Sequence, residues 1–355
     1  MDLIEKAILK YKDVPKKIHG SVSFSPKSND KSILDFSSSC LEISLKKIIT
    51  SCLNSKNISN YPDPNSNDLK KKIGESLNIS HENILITNGS SEAIFLIGLA
   101  FCSKKSKVLI PEITYSEYER VAKIFSSKTI KLPQKESTDF TVTIEALKKA
   151  LKNKPDIVFL CNPNNPTGHF MGNRVLQLFK SHPETLFVLD EAYIDFVNQP
   201  WKSSEAIHFG NVIILRSFTK AHGLAGLRLG YLAAPTKIIR LLDHLKVPWN
   251  VNYPAVSTGI HIIKNPGIFK KEISDYLEGK ELLFDYLKKN YFIIPSQTNY
   301  FLLKVKNSKI LFQKFLEKNI LVRECSSFGL KNYIRINARK VKDCKKFIDV
   351  FEKIL

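Results

Sequence analysis

A lysine placed just beyond a buried strand is the first residue of this chain that points to chemistry. The apolar run Val212-Ile213-Ile214-Leu215 predicts such a strand, and it leads into Arg216-Ser217-Phe218-Thr219-Lys220. An amine at that position forms a Schiff base with an aldehyde once burial or a neighbouring charge lowers its pKa. Ser217 and Arg228 flank it, and a hydroxyl with a guanidinium suits a phosphate, on which arginine makes two parallel charge-assisted bonds. Taken alone, Lys220 also fits a solvated lysine after a strand.

Three further segments have the same form, an apolar strand that ends in polar residues. Ile157–Cys161 runs into Asn162-Pro163-Asn164-Asn165-Pro166-Thr167-Gly168. The prolines and glycine make a stiff loop that offers the Asn165 amide to a ligand oxygen, or simply a strand-ending turn. Thr185–Leu189 leads to Asp190-Glu191-Ala192-Tyr193. A carboxylate there needs a cationic partner, and a protonated pyridine nitrogen is one, with Tyr193 positioned to donate to a phenolic oxygen of the same ring. The alternative is an aspartate that caps the next helix. Asn83–Thr87 leads to Asn88-Gly89-Ser90-Ser91-Glu92 and an apolar run. That pattern predicts a helix N-terminus whose free N–H groups, with the Ser90 and Ser91 hydroxyls, bind phosphate, or a plain capped helix.

Together the four segments offer a phosphate cradle, an amide, a carboxylate and a Schiff-base lysine, in that order. The set resembles the pyridoxal-phosphate enzymes of fold type I, in the class I/II aminotransferase family, over nearly the whole chain. The resemblance implies pyridoxal 5′-phosphate as cofactor and gives the roles above to Ser90, Ser91, Asn165, Asp190, Tyr193, Ser217, Lys220 and Arg228, with Thr219 beside them. It implies that Tyr115 stacks on the cofactor ring. It also implies a homodimer, in which Tyr61 reaches the cofactor phosphate of the partner subunit.

On the substrate side, Arg335 lies between Ile334 and Ile336 in an expected strand. An arginine on a half-buried strand needs an anion: a substrate carboxylate, as the family motif implies, or an acid of its own domain such as Glu324. Arg323 is the second candidate. Two family members look similar throughout, threonine-phosphate decarboxylase and histidinol-phosphate aminotransferase. Ile18-His19-Gly20, Leu34-Asp35-Phe36-Ser37, Pro248-Trp249-Asn250-Val251-Asn252 and Val322–Leu330 resemble the decarboxylase, which is therefore the leading expectation. His19, Asn252 and Arg323 are then expected at the substrate phosphate. The segment Ser38-Ser39-Cys40-Leu41-Glu42 departs from the Asn-x-Asn-Pro of both. A ligand sensor that lacks catalysis is the alternative of another class.

The elements that must position these residues are legible from periodicity. Strands and helices alternate from Asn83 to Tyr231, which predicts an α/β domain with a mostly parallel sheet between helices. Catalytic residues belong at the carboxyl ends of such strands. Beyond two more helical stretches, Tyr300–Val305, Lys309–Lys318, Tyr333–Ile336 and Asp343–Ile354 predict a small α+β domain. The expected division is a large domain over 46–255 and a small one from 1–45 and 256–355.

The chain has 355 residues, 43% of them hydrophobic, and a net charge of +20. Its lysines are scattered over expected polar helix faces, with no zinc module or arginine-rich tail, so nucleic-acid binding is not expected. The charge favours anionic substrates. No apolar run approaches the ~18 residues of a membrane span, and the N-terminus shows no secretory h-region. Six dispersed cysteines without a CxxC pair point to free thiols, no metal site and a cytoplasmic protein.

Overall fold

The structure is a computed structural model that describes residues 3–15, 33–53 and 55–354. His19 and the segment around it lie outside these residues. In chain order the strands are β1 (Leu34–Asp35), β2 (Ile84–Thr87), β3 (Lys107–Pro111), β4 (Lys128–Leu132), β5 (Ile157–Cys161), β6 (Leu186–Asp190), β7 (Val212–Ser217), β8 (Gly230–Ala233), β9 (Ile293–Ile294), β10 (Tyr300–Lys304), β11 (Ile320–Leu321), β12 (Arg323–Glu324) and β13 (Tyr333–Asn337).

Seven of these form one sheet in the order β2-β8-β7-β6-β5-β3-β4. Strands β7, β6, β5, β3 and β4 run parallel to one another, while β8 runs antiparallel to both β7 and β2. Side chains alternate between the two faces. Val108, Ile110, Ile157, Phe159, Val188, Ile213 and Leu215 pack into one core with the helices Gly89–Phe101 and Thr236–Leu245. Leu109, Val158, Leu160, Phe187, Leu189, Val212 and Ile214 pack into another with Ile144–Leu151 and Arg174–Ser181. A strand covered on both faces has to be apolar throughout, which is why these runs read as unbroken hydrophobic segments.

A second sheet, β12-β13-β10-β9, is antiparallel. It is backed by Ser308–Glu317 and Val341–Ile354 through a ladder of Phe315, Phe347 and Phe351 rings with centroids 5.0–6.0 Å apart. β1 pairs with β11, and the Asn337 N–H donates to the Phe36 carbonyl, so the chain near residue 35 is attached to this C-terminal layer.

The packing changes hands later than residue 255. That position lies inside the helix Tyr253–Lys264, whose Ala255 and Ile262 share a core with Leu69, Ile73 and Ile84 of the larger layer. The transition occurs along the helix Pro266–Leu287. Phe269 near its start belongs to that same core, whereas Leu283 and Leu287 near its end belong to the core of the small sheet. A periodic run of apolar residues shows that a helix is amphipathic but not which layer it covers.

Gly279 in this helix has a specific reason to be glycine: a Cβ there would lie 1.9 Å from the Arg339 carbonyl oxygen. Replacing a mid-helix glycine by alanine ordinarily stabilises by about 1 kcal/mol. Here the overpacking, on the order of 1–3 kcal/mol, reverses the sign. Gly279→Ala is expected to lower the denaturation midpoint, and an unchanged or raised midpoint would contradict the close approach.

Candidate active site

The carboxyl ends of β5, β6 and β7 lie side by side at one edge of the large sheet. Cys161 and Leu215 are the register partners of Asp190 on either side. Backbone polarity ends there and side-chain polarity begins, as expected for a ligand crevice of an α/β sheet. A cavity of about 130 Å³ opens at this edge, lined by Asn165, Asp190, Tyr193, Thr219 and Lys220 from these strand ends. Ser90, Ser91, Tyr115 and Arg228 complete the expected residues around it. A larger cavity, about 450 Å³, lies behind the lysine strand between Ile73, Trp201 and Phe269. Its buried charge is already paired, Arg216 with Glu191 at 2.7 Å, so the chemistry belongs to the smaller one.

The helix Gly89–Phe101 starts at the cavity. Glu92 accepts a hydrogen bond from the Asn88 N–H at 2.6 Å, and the N-cap is Asn88, whose side chain makes no cap hydrogen bond, rather than a serine. The Ser90 and Ser91 side chains still line the cavity. Two glycines allow the close approach that makes the cradle. A Cβ on Gly89, whose φ is +73°, would meet the Arg228 Nη2 at 2.7 Å, and one on Gly230 would meet the Ser90 nitrogen at 2.8 Å. Arg228 itself has φ +58°, a left-handed conformation that costs a non-glycine residue on the order of 1–3 kcal/mol. That cost buys a guanidinium aimed across a helix N-terminus.

Asp190 is buried, and burial pushes its carboxyl above the usual range. The Tyr118 hydroxyl donates to Oδ2 at 2.7 Å and the Ala192 N–H to Oδ1 at 3.1 Å. Among the described residues it forms no ion pair. A cation set against it in the cavity would relieve the desolvation, so the pyridinium nitrogen of pyridoxal phosphate fits this carboxylate. With the cationic cradle at the other end of the cavity, the residues present fit the cofactor.

Lys220 differs from expectation in one respect. Burial does work to lower its ammonium, but Tyr193, Cys40 and Tyr115 outweigh it and hold the group above the ordinary lysine range. Its Nζ donates to Cys40 Sγ at 3.7 Å and lies 5.7 Å from the centre of the Tyr193 ring. Burial likewise pushes the Tyr115 phenol up, to about 12.

Asn165 is held from two directions. Its amide oxygen accepts from Arg335 Nη1 at 2.6 Å. Its loop is fastened through Asn164, which donates to the Ile113 carbonyl at 2.9 Å, accepts from Thr114 at 2.7 Å and offers its own carbonyl to Tyr300. The loop owes its shape to these bonds as well as to its prolines.

Arg335 is 4% exposed. Its Nε donates to Asn337 at 3.1 Å and its Nη2 to the Ser37 carbonyl at 2.9 Å, and its guanidinium lies 4.9 Å from the centre of the Tyr300 ring. All these partners are neutral, and no carboxylate of the described residues pairs with it. Arg323 is its register partner on β12. Burial and the Arg335 charge lower Arg323, and its Nη2 donates to Ser327 at 2.7 Å. Glu324, the candidate internal partner, instead accepts from Ser308 and Ser326.

Two expected residues are placed away from the cavity, and a third lies on the surface. Asn252 is the N-cap of the helix Tyr253–Lys264: its Oδ1 accepts from the Ala255 N–H at 2.9 Å and its Nδ2 donates to the Leu227 carbonyl at 3.3 Å. Both ends of the amide take part in the fold. Asn before Tyr-Pro at a helix start is itself a cap signal. Ser217 does not line the smaller cavity; its hydroxyl bonds Thr219 Oγ1 at 2.7 Å and supports it from beneath. Tyr61 is 81% exposed, against the Trp249 ring at 4.7 Å.

Sequence reasoning missed Tyr118, Tyr300, Ser39 and Cys40. The last two lie in the departing segment 38–42, and that departure was their only signal.

The family model for aminotransferase class I and II matches residues 34–351. The chain belongs to this family. It is a pyridoxal-phosphate enzyme, as the whole family-matched fold implies. A histidinol-phosphate aminotransferase of Buchnera aphidicola subsp. Cinara cedri is 35% identical over 303 residues, covering 83% of this chain and 85% of that protein. Among solved structures, the histidinol-phosphate aminotransferase of Clostridium acetobutylicum is similar with TM-score 0.82 and 25% identity, covering 91% of this chain and 99% of that one. The L-threonine-O-3-phosphate decarboxylase of Porphyromonas gingivalis gives 0.80 and 28%, covering 90% and 99%.

Lys220 is expected to be the residue tagged when the cofactor-loaded enzyme is reduced with borohydride and its peptides are mapped. Lys220→Ala should lose the tag, and a label on another lysine would refute the assignment.

Proposed function

We propose that this enzyme transfers the amino group of histidinol phosphate to 2-oxoglutarate. The observation that carries an anionic substrate is Arg335, a buried guanidinium whose partners are all neutral. Such a charge is costly to bury unless an anion completes it, and Arg323 beside it adds a second positive group. Amino-group transfer needs one site to take two anions in turn, a phosphate ester and a dicarboxylate, and a pair of adjacent arginines suits both. The curated relatives at 31–35% identity that cover most of the chain favour histidinol phosphate over the decarboxylase expected from four short segments.

Bound pyridoxal phosphate supplies an electron sink for the pair freed at the substrate Cα. Asp190 would hold the positive ring nitrogen, and Ser90, Ser91, Thr219 and Arg228 would hold the phosphate. Tyr115 would cover one face of the ring, while Asn165 and Tyr193 would hold its oxygen. Lys220 Nζ would carry the proton taken from Cα and return it. Arg335 fixes the anionic end of the substrate and so sets which Cα bond is aligned for cleavage.

A second reading, decarboxylation of threonine phosphate, is favoured by the 28% identity to the solved decarboxylase. Glutamate formed from histidinol phosphate and 2-oxoglutarate supports the first reading. Carbon dioxide released from threonine phosphate without a keto acid, and no glutamate, would replace it with the second. Arg335→Met is expected to lower kcat/KM roughly 100- to 1000-fold for both amino donor and keto acid, from the loss of about two charge-assisted bonds. A change confined to one of them would remove Arg335 from the shared anion site.

We further infer a homodimer, with Tyr61 serving the neighbouring site. It stands exposed against the half-exposed ring of Trp249. Sedimentation should give a dimer, and Tyr61→Phe should raise the cofactor concentration for half-saturation with the dimer intact. A fully active monomer would refute this.

A further inference from the structure

The segment that departs from the family pattern lies against the catalytic lysine. The Leu41 N–H donates to the Lys220 carbonyl at 2.9 Å, and Cys40 Sγ lies 3.7 Å from Lys220 Nζ. Ser39 is buried, its carbonyl 3.4 Å from Asn299 Nδ2, and its Oγ lies 2.7 Å from Tyr193 Oη. Among the described residues, each of these two hydroxyls has only the other as hydrogen-bond partner. The Tyr193 ring is fixed edge-on against Tyr300, with centroids 5.2 Å apart, and Tyr193 lines the cavity.

A hydroxyl pair shares one proton per bond, and the other proton is free to go elsewhere. If Tyr193 donated to Ser39, its oxygen would present only lone pairs to the cavity and would repel an anionic ring oxygen there. If Ser39 donates, the phenol proton is released to the cavity and the phenol becomes a stronger donor, because bonds in a chain polarise one another. We propose that Ser39 is a positioning residue: its hydroxyl donates to Tyr193 and directs the phenol proton onto the ring oxygen of bound pyridoxal phosphate. This rests on the assignment of Tyr193 to that oxygen. Ser39 thereby favours the ionised form of the ring oxygen and lowers the pH at which the bound cofactor titrates.

The test is the pH midpoint of the visible absorbance of the loaded enzyme, a quantity that a purely structural role of Ser39 would not move. Ser39→Ala is expected to raise the midpoint by roughly half a pH unit, the size of one neutral hydrogen bond. Ser39→Thr keeps the hydroxyl and should keep the parent midpoint. Tyr193→Phe should raise the midpoint further, and adding Ser39→Ala to it should change nothing more. If Tyr193→Phe shifts the midpoint and Ser39→Ala does not, or if the two shifts simply add, the role of Ser39 is overturned while that of Tyr193 stands. A midpoint unmoved by Tyr193→Phe overturns the Tyr193 assignment and the proposal with it.

Discussion

A buried guanidinium with no acid paired to it among the described residues holds this molecule's functional parts in register. Arg335 reaches the Ser37 carbonyl near β1, the Asn165 amide at the end of β5 and the Asn337 amide on its own strand. One side chain thus joins the N-terminal segment, the large sheet and the small sheet. Neutral acceptors orient the charge without cancelling it. An aspartate in place of Asn165 would pair with the guanidinium and leave less of its field for an incoming anion.

The opposite end of the site applies the reverse logic. Asp190 is a buried carboxylate with hydrogen-bond donors but, among the described residues, no ion pair, and burial raises its carboxyl. The site thus sets a carboxylate at the edge of the large sheet, Arg228 over the helix N-terminus and Arg335 on β13 of the small sheet. A zwitterionic cofactor suits the carboxylate half, and an anion would complete the arginine half. The fold supports this through the parallel alignment of β5, β6 and β7, which delivers Asn165, Asp190 and Lys220 to a common edge.

Much of this was readable in the chain because each part is local. An apolar run ending in Asp, Asn or Ser-x-Thr-Lys shows a strand and its functional end within ten residues. The alternation from Asn83 to Tyr231 gave the parallel sheet for the same reason. What was not readable depends on contacts between distant segments: Tyr118 meets Asp190 across 72 positions, and Ser39 meets Tyr193 across 154. Neither has a local pattern. Asn252 caps a helix in the structure, a local role that its resemblance to a binding segment did not indicate. The favoured reaction also changed, because four short segments weigh less than similarity spread over more than 300 residues.

The helix Pro266–Leu287 is shared property. Phe269 belongs to the core under β2 and β8, Tyr276 to the cluster with Tyr193 and Tyr300, and Leu283 and Leu287 to the core of the small sheet. A layer that lost its packing would strip one end of this helix, and a 22-residue helix derives most of its stability from the surfaces it covers. The two layers therefore lean on one helix, and unpacking either would loosen the other's hold on it.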